Sequence, residues 1–269
     1  RIYRVISDET ESAGPPMLSE LSVHQLVEKL DSPNGWERDM AHQMLTWKFP
    51  EPETEVMEAN FELKTTLGQI HRLSLFDFWG GVSGAMLFDA LTSDSAELQI
   101  HALRFLTAEN ANPAVMGEVL KLAESEDAGV RFQLAIALGN LPPAGEFDRP
   151  TPPNVGEALA KLALRDSDKP FHVSAFASSL GKPANEAVAA LSGAKSQKIL
   201  PLLNPLFESS VATGNQNAIA QLLSQTGQSG FAEFLAVLDR RRVDFESNRA
   251  AKIRARTAWP HPKNAEGRF

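Results

Sequence analysis

Histidine is the first residue type to consider for chemistry, because its imidazole binds metals and transfers protons near neutral pH. The chain contains six histidines, but no His-x-x-x-His or Glu-x-x-His pair places two metal ligands on one helix face. The sequence therefore predicts no metal ligand. His71 and His101 lie in comparable parts of two similar segments, where they either line one surface or are solvated or hydrogen-bonded. The six are His24, His42, His71, His101, His172 and His261.

A glycine-rich stretch suggests phosphate binding only at first sight. Residues 80–84, with the sequence Gly-Gly-Val-Ser-Gly, have the glycine content of a phosphate-binding loop. They follow a helical pattern instead of a strand, and no Lys-Ser/Thr pair comes after them. We therefore expect a turn between two helices. No Gly-x-Ser-x-Gly motif supports a serine nucleophile, and no catalytic residue is predicted.

Tryptophans near carboxylates raise a further possibility, because helical-repeat DNA glycosylases hold damaged bases with aromatic and acidic residues in a basic groove. Asp39 or Asp77 would supply the carboxylate. Trp36 and Trp79, at a helix start and a helix end, are better explained as packing anchors between repeats. The four tryptophans are Trp36, Trp47, Trp79 and Trp259.

The net charge opposes a nucleic-acid partner. The formal charge of the chain is −8, but residues 240–269 contain nine Lys or Arg against three Asp or Glu. The remaining 17 Lys or Arg and 31 Asp or Glu give residues 1–239 a net charge of −14. Duplex binding needs clustered positive charge, so we expect no nucleic acid. The basic segment 241–269 is interpreted either as a solvated, partly ordered tail or as a contact for an acidic partner.

The composition also limits cofactors and membrane insertion. Cysteine is absent, which excludes disulfides, thiolate zinc sites, iron–sulfur clusters and covalent c-type haem from this chain. We expect no cofactor in it. No apolar run reaches the roughly 18 to 20 residues of a membrane span, and residues 1–10 lack the apolar core of a signal peptide. Because residue 1 is Arg, we expect the chain to begin inside a longer polypeptide.

Any site must be positioned by helices, because the sequence repeats with a helical pattern. Its clearest copy runs from Val130 to Gly139, and the copies are separated by 33, 28, 32 and 42 residues, which suits two-helix repeats. The pattern predicts an all-α, HEAT-like α-solenoid, a superhelix of antiparallel helix pairs, over residues 17–240. The copies start at Glu37, Ile70, Leu98, Val130 and His172. Packing residues are expected four positions after each start, at Ala41, Ser74, Ala102, Leu134 and Phe176. A large apolar core residue is expected eight positions after each start, at Leu45, Phe78, Leu106, Leu138 and Leu180.

Capping residues predict where several of these helices begin and end. Ser22 is a predicted N-cap, as are Asp94, with Glu97 three residues on, and Asp127. Gly139 and Gly181 directly follow the last apolar positions of two copies and are predicted to be left-handed C-caps.

The repeat sequences resemble a known family. The stretches RIYRV, PPMLSELSVHQLVEKLDSPNGWERDMAHQML, IHRLSLFDFWG, VRFQLAIALGN and DSDKPFHVSAFASSL are similar to the HEAT-repeat region of PVC-type haem-binding CxxCH proteins, large bacterial proteins also described as membrane-bound dehydrogenases. The resemblance covers about residues 1–181. Its most specific parts, Pro-Asn-Gly-Trp-x-Arg-Asp and Val-Arg-Phe-Gln-Leu-Ala, are structural motifs of a repeat.

The resemblance carries expectations about the surrounding protein. In that family a β-propeller precedes the helical repeats and a c-type cytochrome module follows them. It implies that residues 1–16, whose alternating Ile2–Ile6 pattern predicts a short strand, are the end of a propeller and a linker. It also implies that Gly267-Arg268-Phe269, at the end of segment 241–269, lies near a cytochrome boundary, and that the protein is periplasmic or exported. The cysteine-free chain offers no haem attachment.

Two functions follow as hypotheses. The first is a non-catalytic helical-repeat scaffold or docking module whose partners are protein domains, namely the propeller and cytochrome c modules of a larger bacterial dehydrogenase-like protein. The alternative is a helical-repeat enzyme that acts through its concave face, either DNA-glycosylase-like or lyase-like. Exposure of Trp36 and Trp79 around a basic groove would favour the enzyme.

Overall fold

The computed structural model describes residues 17–50, 63–141, 155–180, 184–191, 196–224, 232 and 235–240. All regular structure in these ranges is helical, which confirms the all-α prediction. The expected strand Ile2–Ile6, Gly181, Trp259, His261 and the basic segment 241–269 lie outside the described residues.

The helices are mostly two to four turns long, as expected for helices that depend on packing. Two short 3₁₀ segments cover Leu18–Glu20 and Leu122–Glu124, and residues 216–224 and 235–240 are also helical. The α-helices are α1 (Val23–Lys29), α2 (Gly35–Lys48), α3 (Thr66–Phe78), α4 (Gly84–Leu91), α5 (Ala96–Arg104), α6 (Pro113–Lys121), α7 (Ala128–Asn140), α8 (Val155–Arg165), α9 (Pro170–Ser178), α10 (Ala184–Leu191) and α11 (Ser196–Ala212).

The helices form two compact units, Arg1–Leu134 and Ala135–Phe269. In the first unit, α3 packs against α2 and α5, whereas α4 packs against α5 and α6. In the second unit, α8 packs against α10, and α9 packs against α11. Within each unit, therefore, some helices contact the helix next but one along the chain, as well as their immediate neighbours.

Each second helix of a predicted repeat, taken with the one or two residues that follow it, buries two residues that lie four positions apart. In four copies these are the residues expected from the sequence. In the second copy they are Leu75 and Trp79, while Ser74 is only half-buried and Phe78 is 53% exposed. The second copy thus starts at His71, one residue later than predicted. The buried pairs are Ala41 and Leu45, Leu75 and Trp79, Ala102 and Leu106, Leu134 and Leu138, and Phe176 and Leu180.

Trp79 decides the register of this copy. Its indole Nε1 donates a hydrogen bond of 2.7 Å to the carbonyl of Phe49, and its ring meets Phe76 edge to face. A buried indole needs a partner for its N–H, and Phe49, just after α2, supplies one. The prediction that Trp79 is a packing anchor is confirmed. The same prediction for Trp36 is wrong, because Trp36 is 52% exposed.

A recurring serine turn joins the two helices of several repeats. The turn places Ser32, Ser93 or Ser125 two residues before the N-cap of the second helix. In each case the serine Oγ accepts the N–H of that N-cap residue, at 3.1, 3.1 and 3.3 Å respectively. The N-cap side chain then accepts a backbone N–H from the first turn of its helix. Free N–H groups at these helix starts are thereby paired.

The carbonyl of the same serine accepts a hydrogen bond from a side chain six residues later. The donors are Arg38 Nη1 at 2.6 Å, Gln99 Nε2 at 2.7 Å and Arg131 Nη1 at 2.7 Å. Arg131 is only 4% exposed and also reaches the carbonyl of Glu126 at 3.0 Å. A long donor from the second helix therefore fixes the turn that precedes it.

The capping predictions are partly confirmed. Ser22 caps α1 in a capping box with Gln25, and Asp127 Oδ1 accepts the Val130 N–H at 2.9 Å. The cap of α5 is Ser95 instead of Asp94, because the Ser95 hydroxyl reaches the Leu98 N–H. Residues 80–84 form the predicted turn between helices, with positive φ at Gly80 and Gly81.

Gly139 was predicted to end its helix, which is wrong, because α7 continues to Asn140. A side chain at this position would instead collide with a neighbouring segment. A Cβ atom on Gly139 would lie 2.4 Å from the Ser179 Cβ and 2.6 Å from the Ser179 Cα. Glycine is therefore required here for close approach of two segments of the second unit.

The first prediction compares two glycines inside helices. Gly139→Ala is expected to lower the free energy of unfolding by about 1–3 kcal/mol, because Ser179 and its backbone must move. Gly117→Ala is the matched control, since no atom lies within 4 Å of its added Cβ. It should stabilise α6 by about 0.5–1 kcal/mol through higher helix propensity. Thermal unfolding followed by circular dichroism checks both, and equal effects would contradict the close-approach argument.

A second prediction concerns the serine turn. Arg131→Met keeps an apolar stem but leaves the carbonyls of Ser125 and Glu126 without this donor, so we expect a loss of about 2–4 kcal/mol in unfolding free energy. Arg104→Met, at an exposed position on α5, serves as the control and should change stability by less than about 0.5 kcal/mol. Urea unfolding measures both. Similar losses in the two variants would show that Arg131 does not stabilise the turn.

Candidate functional site

The most distinctive surface feature of the first unit is an open groove between α2 and α3. It has a volume of about 610 Å³. We call it the α2–α3 groove. It is lined by Asp39, Met40, His42, Gln43, Thr46 and Trp47 of α2 and by Ile70, His71, Ser74 and Phe78 of α3.

Helical spacing explains why these side chains meet. On α2, Asp39, Gln43 and Trp47 follow one another every four residues, which places them on one face. On α3, Ile70, Ser74 and Phe78 have the same spacing. The buried pairs Ala41/Leu45 and Leu75/Trp79 are offset from these two rows, so core packing leaves both rows at the surface.

Two large aromatic side chains are exposed in the groove. Trp47 is 63% exposed and Phe78 is 53% exposed. Large exposed aromatic residues are enriched at protein interfaces, where they act as anchors. This end of the groove is therefore suited to binding an apolar group.

His42 and His71 are in contact in the middle of the groove. Their Nδ1 atoms are 3.2 Å apart, and their ring centroids are 5.2 Å apart with the planes tilted by 58°. An N–H···N hydrogen bond needs a proton on one Nδ1 and a free lone pair on the other. At least one ring is therefore neutral when the pair is hydrogen-bonded.

Asp39 lies on the opposite side of His71. Its Oδ1 is 3.7 Å from His71 Nε2, so the carboxylate faces the ring nitrogen that does not face His42. Asp39 is highly exposed, whereas the His71 side chain is only 21% exposed. The three side chains thus form a chain in the order Asp39, His71, His42.

The environment favours neutral imidazoles. Burial lowers the pKa of His42, and the neighbouring His71 lowers it further, against a smaller opposing effect of Asp39. Burial also lowers the pKa of His71, with Asp39 opposing this and Arg38 adding to it. Both groups therefore titrate below their usual range and are neutral near pH 7.

Asp31 ties the start of α3 to the end of α1. Its carboxylate accepts hydrogen bonds from Thr65 Oγ1 at 2.6 Å, Lys64 N at 2.6 Å and Thr65 N at 3.1 Å. Burial alone would raise its pKa, but the hydrogen bonds lower it below the usual value. Gly68 leaves room for this carboxylate, since a Cβ there would collide with it. These contacts fix the α3 wall of the groove.

The remaining residues considered from the sequence do not join this site. His24 and Asp77 are exposed, and His172 is half-buried. His101 is half-buried, and burial followed by the charge of Arg104 lowers its pKa. The structure pairs His71 with His42, which lies 29 residues earlier. A motif of two ligands on one helix does not contain this pair, because His42 lies on α2 and His71 lies on α3. The sequence does contain a signal for it, namely the spacing Asp39-x-x-His42 followed by another histidine about one repeat length later.

A second groove, of about 540 Å³, lies in the other unit between α9 and α11. Its walls include Pro170 and Val173 on one side and Pro201 and Pro205 on the other. Glu208 of this groove lies 3.7 Å from Arg240 Nη1. It contains no histidine and no aromatic ring, so it offers less chemistry than the α2–α3 groove.

No group of three or more His, Cys, Asp or Glu in the described part of the chain is arranged to hold a metal ion. Among the same residues, no helix is both long and apolar enough to cross a membrane. Comparisons with protein-family models, curated proteins and solved structures found no match to this chain.

The third prediction follows from the histidine pair. Between the lowered pKa values of the folded state and about 6.5, the unfolded chain binds more protons than the folded chain, so stability falls as the pH drops through this range. His42→Asn and His71→Asn keep a polar atom near Nδ1 but cannot titrate there. We expect each to flatten the dependence of unfolding free energy on pH in the range below about 6.5.

Urea unfolding at several pH values provides the measurement. His24→Asn, at an exposed position on α1, is the control and should keep the slope of the parent chain. An unchanged slope in both groove variants would refute the argument that burial keeps this pair neutral.

Proposed function

We propose that the chain is a non-catalytic, HEAT-like helical-repeat module that docks a protein segment in the α2–α3 groove. The solenoid part of this proposal is supported by the five sequence copies and their buried i, i+4 pairs. It is also supported by contacts between alternate helices within each unit, since stacked repeats present extended surfaces for partners.

The observation that carries the docking function is the exposure of Trp47 and Phe78 in a groove that also contains Asp39. Among the described residues, the groove lining contains one carboxylate and no Lys or Arg, and residues 1–239 carry a net charge of −14. Charge complementarity therefore favours a segment that carries an apolar side chain and, roughly 12 Å away along the groove, a Lys or Arg. The apolar group would contact the aromatic rings, and the cation would pair with Asp39 or lie over a ring.

The wider setting rests on the resemblance of residues 1–181 to the repeat region of PVC-type haem-binding CxxCH proteins. On that basis the parent protein is a periplasmic or exported bacterial dehydrogenase-like protein, and the docked segments belong to its propeller or cytochrome c module. The module would then hold the two redox domains at a suitable distance. The module would position the two domains for electron transfer and would itself carry no redox group.

The enzyme alternative is less well supported. A glycosylase-like site needs positive charge around exposed aromatic rings, whereas the α2–α3 groove is lined by Asp39 and neutral side chains. Trp79 is buried and hydrogen-bonded, so only Trp36 of the two discriminating tryptophans is exposed. No described feature of the groove favours a lyase-like reaction.

The fourth prediction tests docking with a library of displayed random peptides selected on the intact chain. Peptides that carry an aromatic or aliphatic residue together with a Lys or Arg further along the peptide should be enriched. Trp47→Ala should weaken their binding by about 30-fold, which corresponds to an interface residue worth about 2 kcal/mol. Asp39→Asn should weaken binding less and reduce its dependence on salt. Fluorescence anisotropy of labelled peptides measures these changes.

Trp36→Ala is the matched control, because Trp36 is an exposed tryptophan on the same helix that does not line the groove. It should leave peptide affinity unchanged. Selected peptides that bind Trp47→Ala and Phe78→Ala variants as well as the parent chain would overturn the docking proposal. Binding of duplex DNA that is lost in Trp47→Ala would favour the enzyme alternative instead.

A further inference from the structure

The contact between His42 and His71 has a second chemical meaning besides a hydrogen bond. Both nitrogens are Nδ1 atoms, they belong to different helices, and they face each other at 3.2 Å in an open groove. Two imidazoles that bind one metal ion also bring their nitrogens to about this separation. The pair thus has the geometry of two ligands of a single ion.

The distance can be compared with ordinary coordination geometry. For metal–nitrogen bonds of about 2.0–2.1 Å, an N···N distance of 3.2 Å corresponds to an angle at the metal of about 105°. This is close to the tetrahedral value. An ion bound by both nitrogens would lie beside the N···N line, with one lone pair from each ring directed towards it.

Asp39 is placed where a supporting residue of such a site is expected. A histidine that binds a metal through one nitrogen usually donates its other N–H to a carboxylate. His71 Nε2 lies 3.7 Å from Asp39 Oδ1. Metal binding at Nδ1 puts the remaining proton of His71 on Nε2, facing this carboxylate. Asp39 would therefore orient His71 without touching the ion.

We propose that His42 and His71 form a binding site for a late first-row divalent metal ion of the Zn²⁺ class, with Asp39 as the positioning residue. The two imidazoles are the protein ligands, and water completes the coordination shell, with Gln43 and Ser74 close by in the groove lining. Imidazole ligands select such ions over Mg²⁺ and Ca²⁺, which prefer oxygen.

The rigidity of the surrounding helices helps an ion to bind. The helices that hold the rings are fixed by core packing at Leu45 and Leu75, both fully buried. Little rearrangement of the backbone is needed to bring the ligands together. The proposal does not depend on peptide docking.

The fifth prediction tests this site on the full chain after treatment with a chelator. Calorimetric titration with Zn²⁺ should show one ion per chain, and Co²⁺ should give visible absorption typical of tetrahedral coordination. Cu²⁺ should bind more tightly than Zn²⁺, following the usual order for nitrogen sites, and Mg²⁺ should not bind. His42→Ala and His71→Ala should each abolish the signal. Asp39→Asn should weaken Zn²⁺ binding by about 10-fold.

His101→Ala is the control, because His101 is also half-buried but lies on α5 outside the groove. It should retain one Zn²⁺ site. Thermal unfolding gives an independent readout, since an ion that binds only the folded chain raises Tm, and this rise should disappear in His42→Asn. His42→Asn also tests the proposal if His42→Ala does not fold.

Three results would overturn the proposal. One is the absence of stoichiometric Zn²⁺ or Co²⁺ binding, which would leave the pair as a hydrogen bond only. Another is binding that survives in both histidine variants, which would place the ion at other histidines. The last is Co²⁺ absorption typical of an octahedral, water-rich ion, which would show loose surface binding.

Discussion

The pairing of backbone groups in the turn between two helices is the constraint on which this structure depends. Each helix end leaves carbonyls and each helix start leaves N–H groups without partners inside the helix. The serine turn pairs several of them within seven residues, from Ser32 to Arg38 in its first occurrence. Because the donor of the last bond belongs to the second helix, the turn conformation and the position of that helix are coupled.

This coupling explains why the turn recurs with different donors. Arg38, Gln99 and Arg131 differ in charge and length, but each reaches the serine carbonyl six residues earlier. In the copy at α9 the same position is Val173, which has no donor, and its helix has no side-chain cap. There, Lys169 pairs with the buried Asp166 at 2.7 Å. The turn is thus fixed by an ion pair instead.

The α2–α3 groove follows from the same packing. Burial of one i, i+4 pair per helix fixes which face of α2 and α3 meets the core, and the adjacent face is left at the surface. Asp31 then holds the start of α3 against the turn that precedes α2. The positions of the exposed groove residues are therefore determined by the contacts that the buried residues of each helix make in the core.

Much of the helical architecture could be predicted from periodicity, because apolar positions that pack in a core must repeat with the helix. The error in the second copy shows the limit. Phe78 and Trp79 are adjacent and both large, so hydrophobicity alone does not choose between them. The carbonyl of Phe49 decides which of the two is buried, because it accepts a hydrogen bond from the indole N–H of Trp79. Gly139 was misassigned for a similar reason, since its close contact with Ser179 is made by a distant part of the chain.

The site was less predictable because its chemistry is divided between helices. Asp39 and His42 lie on α2 and His71 lies on α3, so no local motif contains all three. Their proximity depends on the one-residue shift of the second copy, which Trp79 imposes. His71 is the first residue of the corrected copy, and its side chain lies across from His42 because the two helices pack side by side. The buried tryptophan that directly follows α3 thus helps to determine which side chains of that helix meet in the groove.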